Sequence, residues 1–473
     1  MNRKIVSILA SLIFVLWGSG TGANPIFIID MCLWICMMIS AYSNIERNYL
    51  EFAFGLTFFT FLMGREFLEQ YSLYSIEKDF SQPTNNHLAI SLLIALLSFW
   101  IAFVLFNKGR RNESATMARW SSYNMAIRKY AKWLFFLSMP FAFISTIVVS
   151  VIVFFVGYQN SYLVIPMVME SFPIVYVFDK IGIMMPACFC VFSASLPAKR
   201  EFYKIGKIFL FYSFLTLFEG NRGTFLINIL VFGAILAYMQ CMQPNEKWFE
   251  KKKYARWAMI GVPFVMIASV AINAGRFGDD WKEMNMTEAM TDFIYQQGVT
   301  GLSVKRAYEL ESDIPEPVSG FYTLEFLHSG LPARLVGNKV YSGNNEEHAL
   351  EGNSMKIALS YTVMGTEFLE GRGGGSSYII ETYYDFGYIG IALGSICYAF
   401  LFSLLYRTSR KNIFAKSLSL MIVGNILWAT RAGFSDFLMY LFAPTIIFTV
   451  AFIFLCAHRK KHVVAALNSR RSK

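Results

Sequence analysis

Apolar runs of about twenty residues recur from one end of the chain to the other. "LAISLLIALLSFWIAFVLF" and "LFFLSMPFAFISTIVVSVIVFFVG" are two of them. A bilayer core of about 30 Å needs roughly 20 apolar residues as a helix. Backbone N–H and C=O groups in lipid must be satisfied within the segment itself. These runs therefore predict an all-α polytopic membrane protein. Membrane β-strands would show as short alternating segments, which are absent. Of the 473 residues only 16% are charged, against about 25% in soluble domains.

About twelve transmembrane helices are predicted, near 5–21, 25–43, 50–70, 87–106, 133–157, 174–196, 208–219, 222–242, 257–275, 377–406, 417–430 and 436–457. The seventh and eleventh are short, which suits tilted or re-entrant segments. The start of the chain resembles a signal peptide, basic then apolar then small, and an uncleaved first helix is preferred. Three regions follow: helices 1–9 in 1–275, one large and partly helical outer loop in 276–376, and helices 10–12 with a basic tail in 377–473. No internal repeat is visible.

The net charge of +10 points away from nucleic acid once its placement is seen. Of the 42 Lys and Arg, 29 fall at the two termini and in the connections 44–49, 107–132, 198–207, 243–256 and 407–416. That is the positive-inside pattern of a cytoplasmic face in contact with anionic lipid, and it puts both termini in the cytoplasm. All seven cysteines lie in apolar runs, so neither a disulfide framework nor a zinc spacing is implied.

Several arginines oppose this trend. Arg65, Arg222, Arg276 and Arg431 end or begin spans on the outer side, and Arg372 in "EGRGGGSS" just precedes the tenth. Snorkelling with local ion pairs, such as Arg65 with Glu69 or Arg222 with Glu219, explains any one of them. Five at one depth suggest more. The planar guanidinium suits phosphate bidentately, and helix N-termini add oriented N–H groups. An anion site at the outer membrane edge follows, at the depth of a lipid-linked pyrophosphate. Asn221, Thr224 and Asn228 give the eighth span a polar stripe, and Asp179 and Lys180 lie near the outer third of the sixth. Glu219 in "FEGNRGTF" either holds Arg222 or accepts a proton, and the holding role is favoured.

The second informative stretch is "GRGGGSSYIIETYYDFGYIGIALG", Gly371–Gly394. Three glycines allow close backbone approach. Ser376 or Ser377 is a candidate cap for the next helix. Glu381 and Asp385 fall one turn apart, with Tyr383, Tyr384 and Tyr388 around them; an aromatic belt at a capped helix start is the plain alternative.

These two motifs, "GNRGTF" and "SSYIIETYYDFGYIG" after a Gly-rich outer loop, resemble the bacterial O-antigen polysaccharide polymerases of the Wzy type, best over about 205–440. The resemblance implies a GT-C-like glycosyltransferase of the bacterial inner membrane with a periplasmic active site. Such an enzyme transfers the growing glycan from undecaprenyl pyrophosphate onto a lipid-linked repeat unit. Both glycan-bearing lipids and the surrounding lipid are the partners it implies, and a chain-length regulator is a further candidate. Residues matching the motifs are Gly220, Arg222, Gly223, Ser376, Ser377, Glu381, Tyr383, Phe386 and Gly387; Asn221 lies within the first motif. Ligases of this architecture use arginines and a loop histidine, which draws attention to His328 and His348.

Transfer from a pyrophosphate requires stabilising the leaving group and serving the acceptor hydroxyl. "GDDW" at Asp279–Asp280 reads better as an exposed acidic turn than as a metal site, so no cofactor is expected. Arg222, Arg276, Arg372 and Arg431 are the expected pyrophosphate clamp, with Glu381, Asp385 or His328 as the acid–base group. Loop aromatics Trp281, Tyr295, Phe321 and Tyr322 are candidates to stack on sugars. An O-antigen ligase or other repeat-unit polymerase is the nearest alternative, and a lipid-linked glycan flippase or transporter a more distant one.

Overall fold

A computed structural model describes residues 3–74, 79–108, 122–219, 222–248, 286–318, 320–408 and 412–471, with residues 250 and 256 besides. Among these, regular structure is entirely helical. Eight helices are long and apolar enough to cross a membrane: Lys4–Thr21, Pro25–Ser43, Gln82–Asn107, Ser122–Val156, Pro173–Ala194, Gly223–Met242, Tyr378–Leu405 and Ile413–Arg431, with a shorter apolar helix at Pro444–Arg459. The eleventh expected span is thus full length. The seventh, expected at 208–219, overlaps the end of the 17-residue helix Lys199–Leu215. The third is a helix–π-helix–helix series, Ile45–Phe58, Phe59–Met63 and Gly64–Gln70. The range expected for the twelfth, 436–457, is divided between a short helix, Asp436–Leu441, and Pro444–Arg471. The ninth, 257–275, lies outside the described residues, as do Gly220, Asn221, Arg276, Asp279, Asp280 and Trp281.

Two compact units divide the chain. The first comprises 1–109, 250–403 and 425–439. In it Pro25–Ser43 packs against Arg3–Thr21, Ile45–Phe58 and Gln82–Asn107. Asn24 fixes the first turn: its side chain accepts from the Ile26 amide at 2.9 Å and donates to Asn86 at 2.7 Å. The large polar loop is not a detached domain. Its helices Met286–Gln297 and Val299–Glu309 pack on the 59–70 segment and on Gln82–Asn107. Glycines make this possible. A Cβ at Gly64 would meet Ile294 at 2.7 Å, one at Gly298 the Arg65 nitrogen at 2.5 Å, and one at Gly301 the Leu62 carbonyl at 2.5 Å. One buried ion pair spans the contact, and a second, within the 64–70 helix, holds Arg65 against it. Lys305 meets Glu66 at 2.5 Å and Arg65 meets Glu69 at 3.2 Å, with Arg65 also donating to the Tyr295 hydroxyl at 2.7 Å.

The second unit comprises 110–249, 404–424 and 440–473. The long helix Ser122–Val156 packs against Pro173–Gly182, Met184–Ala194 and Pro444–Arg471. Buried Arg128 closes the end of the 184–194 helix, donating to the carbonyls of Ser195 and Leu196 at 2.8 and 3.0 Å. Arg222 opens its helix, Arg222–Met242, where the sequence placed it. Asp179 and Lys180 pair with each other at 3.2 Å.

Candidate functional site

The Tyr378–Thr408 helix begins where the capping residues predict. Ser377 accepts from the Ile379 amide at 3.3 Å, an N-cap bond that satisfies one orphan donor. Ser376 is buried beside it, and its hydroxyl has no hydrogen-bond partner among the described residues. The preceding glycines thread between loop helices: the Gly374 amide donates to Ser360 and the Gly374 carbonyl accepts from Ser303. At Gly387 the backbone turns to φ +61°, ψ −154°. That conformation favours glycine, and it separates a short segment, 378–386, from the apolar remainder. Glu381 and Asp385 both lie on the short segment.

Glu381 is fully buried. One carboxylate oxygen accepts from the Phe434 amide at 2.7 Å; the other has no partner among the described residues. Both approach Gly433 so closely that a Cβ there would stand 2.8 and 3.2 Å from them, and 3.0 Å from Asp436 Oδ1. Two carboxylates thus converge on one glycine in the turn joining the 413–428 helix to Asp436–Leu441. Glu325, from the loop segment Tyr322–His328, completes the group. Burial and then the Asp436 charge push Glu325 well above the usual carboxylate range, against a hydrogen bond from Ser354 and the charge of Lys356. Burial raises Asp436 to about 6, with Lys356 and the Gly433 amide opposing. Like charges close together oppose one another's ionisation. A carboxylate poised there suits general-base work. Among the described residues no group of acidic, His or Cys side chains is spaced to hold a metal ion.

Asp385 has different work. It accepts from the Tyr322 and Thr323 amides at 3.1 and 2.8 Å, capping the loop's 3₁₀ segment and tying it to the membrane helix. The Phe326 amide adds a bond to Ser435 at 3.3 Å, so the Glu325 backbone is held from two sides. His328 ends that same segment, three residues from Glu325. His348 is partly exposed, its ring nitrogen on the Gly343 carbonyl at 2.8 Å.

The described arginines differ in setting. Arg431 stands in the turn Ala429–Arg431, two residues before Gly433, half-buried. It donates to Gln297 at 3.0 Å and lies 5.5 and 5.7 Å from the ring centres of Phe61 and Trp428. Arg372 is exposed and paired with Glu367 at 2.8 Å. Arg65 is buried in its Glu69–Tyr295 contact. Arg222 and Gly223 belong to the second unit, and the Arg222 side chain lies outside the described residues. The expected sugar-stacking residues divide as well. Tyr322 is fully buried and Tyr295 nearly so, stacked on Tyr74, whereas Phe321 is exposed against Phe386 at 4.8 Å. Tyr383 instead borders a shallow cleft with His87 and Tyr308.

Sequence reasoning singled out Glu381, Ser377 and Arg431 and passed over Glu325, Lys356, Gly433 and Asp436. Asp436 lies at the end of "ATRAGFSD", one turn past Arg431, which was the available signal. Glu325 carried none, because only the fold brings it to Glu381.

Comparison with known proteins agrees with this picture. A family model described as O-antigen polysaccharide polymerase Wzy matches residues 3–462. No curated protein and no solved structure matches the chain. With nearly its whole length covered by that model, the chain belongs to the O-antigen polysaccharide polymerase Wzy family.

Proposed function

We propose that this polymerase transfers the growing glycan from undecaprenyl pyrophosphate to a hydroxyl of a lipid-linked repeat unit, with the 325/381/436 carboxylates serving that hydroxyl. The observation that carries this is the buried Glu381, one oxygen fixed on Phe434 and the other facing Gly433 and Asp436, on a connection that begins at Arg431. The new bond joins the acceptor oxygen to the donor's anomeric carbon. The bond from that carbon to the pyrophosphate oxygen breaks. The hydroxyl proton passes to the carboxylate cluster, of which Glu325 and Asp436 are the partly exposed members. The departing undecaprenyl pyrophosphate carries the electron pair, and its charge is met by arginine rather than by a metal ion. Arg431 is the first candidate, being beside the cluster in the chain; Arg222, Arg276 and Arg372 complete the proposed clamp. Asp385 positions the loop. His328, at the end of the loop segment, is the alternative proton acceptor.

The same reading places the enzyme in the bacterial inner membrane with about twelve spans in a GT-C-like arrangement. The basic connections and both termini face the cytoplasm, the 276–376 loop and the site face the periplasm, and a chain-length regulator is a partner. A reconstituted assay tests the chemistry. Purified protein given undecaprenyl-pyrophosphate-linked repeat units should make polymer at an unchanged rate in EDTA, and Arg431→Ala should lower the rate at least about tenfold, the loss of one charge-assisted contact of roughly 1.5 kcal/mol or more. Loss of activity in EDTA, restored by Mg²⁺, would contradict the arginine clamp.

A further inference from the structure

Arg431 is held by residues outside the carboxylate cluster. Its guanidinium donates to the side-chain oxygen of Gln297 at 3.0 Å. Two rings flank it, Phe61 at 5.5 Å and Trp428 at 5.7 Å, and they meet each other edge-on at 5.2 Å. Gln297 is buried and is the last residue of the loop helix Met286–Gln297. Phe61 belongs to the π-helical stretch Phe59–Met63. The outer loop and a membrane segment thus meet on one arginine. The seat of Gln297 is tightly set. The next residue, Gly298, lies so near the Arg65 backbone that a Cβ would stand 2.5 Å from its nitrogen, and Gly301 abuts the Leu62 carbonyl as closely. The buried Lys305–Glu66 pair spans the same contact.

The chemistry of Gln297 matters as much as its place. Arg65 and Arg372 are each paired with a carboxylate, Glu69 and Glu367. A carboxylate orients a guanidinium and offsets its charge at the same time. An amide oxygen accepts the same hydrogen bond and carries no charge. The guanidinium holds five N–H donors in one rigid plane. One bond to Gln297, with a ring on either side, therefore fixes that plane and adds no negative charge beside it. We infer that Gln297 is a positioning residue for Arg431: the docked loop sets the direction of the arginine that meets the leaving pyrophosphate, through a group that does not neutralise it. The inference rests on the polymerase reading for the identity of that anion.

The test uses the full-length protein polymerising the lipid-linked repeat, with inorganic pyrophosphate as competitor and hydrogen exchange in 286–309 as the measure of loop docking. Gln297→Leu keeps most of the volume and removes the bond. It should lower kcat about tenfold, the loss of one hydrogen bond to a charged group, and weaken inhibition by pyrophosphate by a similar factor. In a protein already carrying Arg431→Ala it should have no further effect, because both changes act through one group. Gln297→Glu separates positioning from anchoring. It still accepts from Arg431, so a residue that only anchored the loop would tolerate it. It should instead lower kcat and pyrophosphate inhibition about as much as Gln297→Leu does, with exchange in 286–309 unchanged. Gln297→Glu with unaltered rate and inhibition, or a Gln297→Leu effect undiminished by Arg431→Ala, would overturn the positioning role and leave the polymerase intact. An Arg431→Ala protein that polymerises normally would remove that arginine from the reaction and this inference with it.

Discussion

Glu381 and Asp385 differ by one helical turn and by everything around them. Asp385 spends both oxygens on the amides of Tyr322 and Thr323, so its removal should act through the loop. Asp385→Ala is expected to cost about 1 kcal/mol, as for a lost N-cap, and to increase protease cleavage within 320–330; Asp385→Ser, which can still cap, should recover most of both. Asp436 and Glu325 share the pH dependence. The folded value of Asp436, near 6, lies above the ordinary carboxylate value. The folded state therefore holds a proton that the unfolded chain releases. The stability from this group is present below about pH 4 and is lost as pH rises through about 6. Activity runs the other way, because a base must be ionised. The polymerisation rate should fall as pH drops through about 6, and Asp436→Asn, which removes one of the coupled carboxylates, should shift that limb to lower pH, measured as a pH–rate profile. Spacing and the resemblance made Glu381 legible, and residue type made Arg431 legible. The third carboxylate was not, since Glu325 reaches the cluster only through the Asp385 cap and the Ser435 bond, contacts that join residues about sixty and a hundred positions apart.

Helices and turns carry the same lesson. The apolar runs announced themselves by length, because lipid demands about twenty residues of one character. The loop helices did not announce where they dock. Gly64, Gly298 and Gly301 lie in sequences with no shared motif, yet each is a point where two backbones nearly touch. A π-helical stretch at Phe59–Met63 lies at this contact, in keeping with the frequent placement of π-bulges at functional sites. Gly301→Val would drive a side chain into the Leu62 carbonyl. It should cost about 1–3 kcal/mol and raise hydrogen exchange in 299–309 and 59–65 together, while leaving exchange in 122–156 unchanged. Uniform exchange across the molecule would argue that the contact does not hold the loop.

For the molecule as a whole, eight helices long and apolar enough to cross a membrane, with basic residues gathered in short connections, describe a multi-pass membrane protein. The family match over 3–462 makes it an O-antigen polymerase. The central claim is that the carboxylates joined at Gly433 perform its chemistry. Glu381→Gln tests it most directly, because the amide oxygen can still accept from Phe434 while the side chain can no longer take a proton. In cells lacking their own polymerase and expressing this variant at the unaltered level, lipopolysaccharide resolved on a gel should show single-repeat product and no ladder. A ladder of normal length would contradict the account.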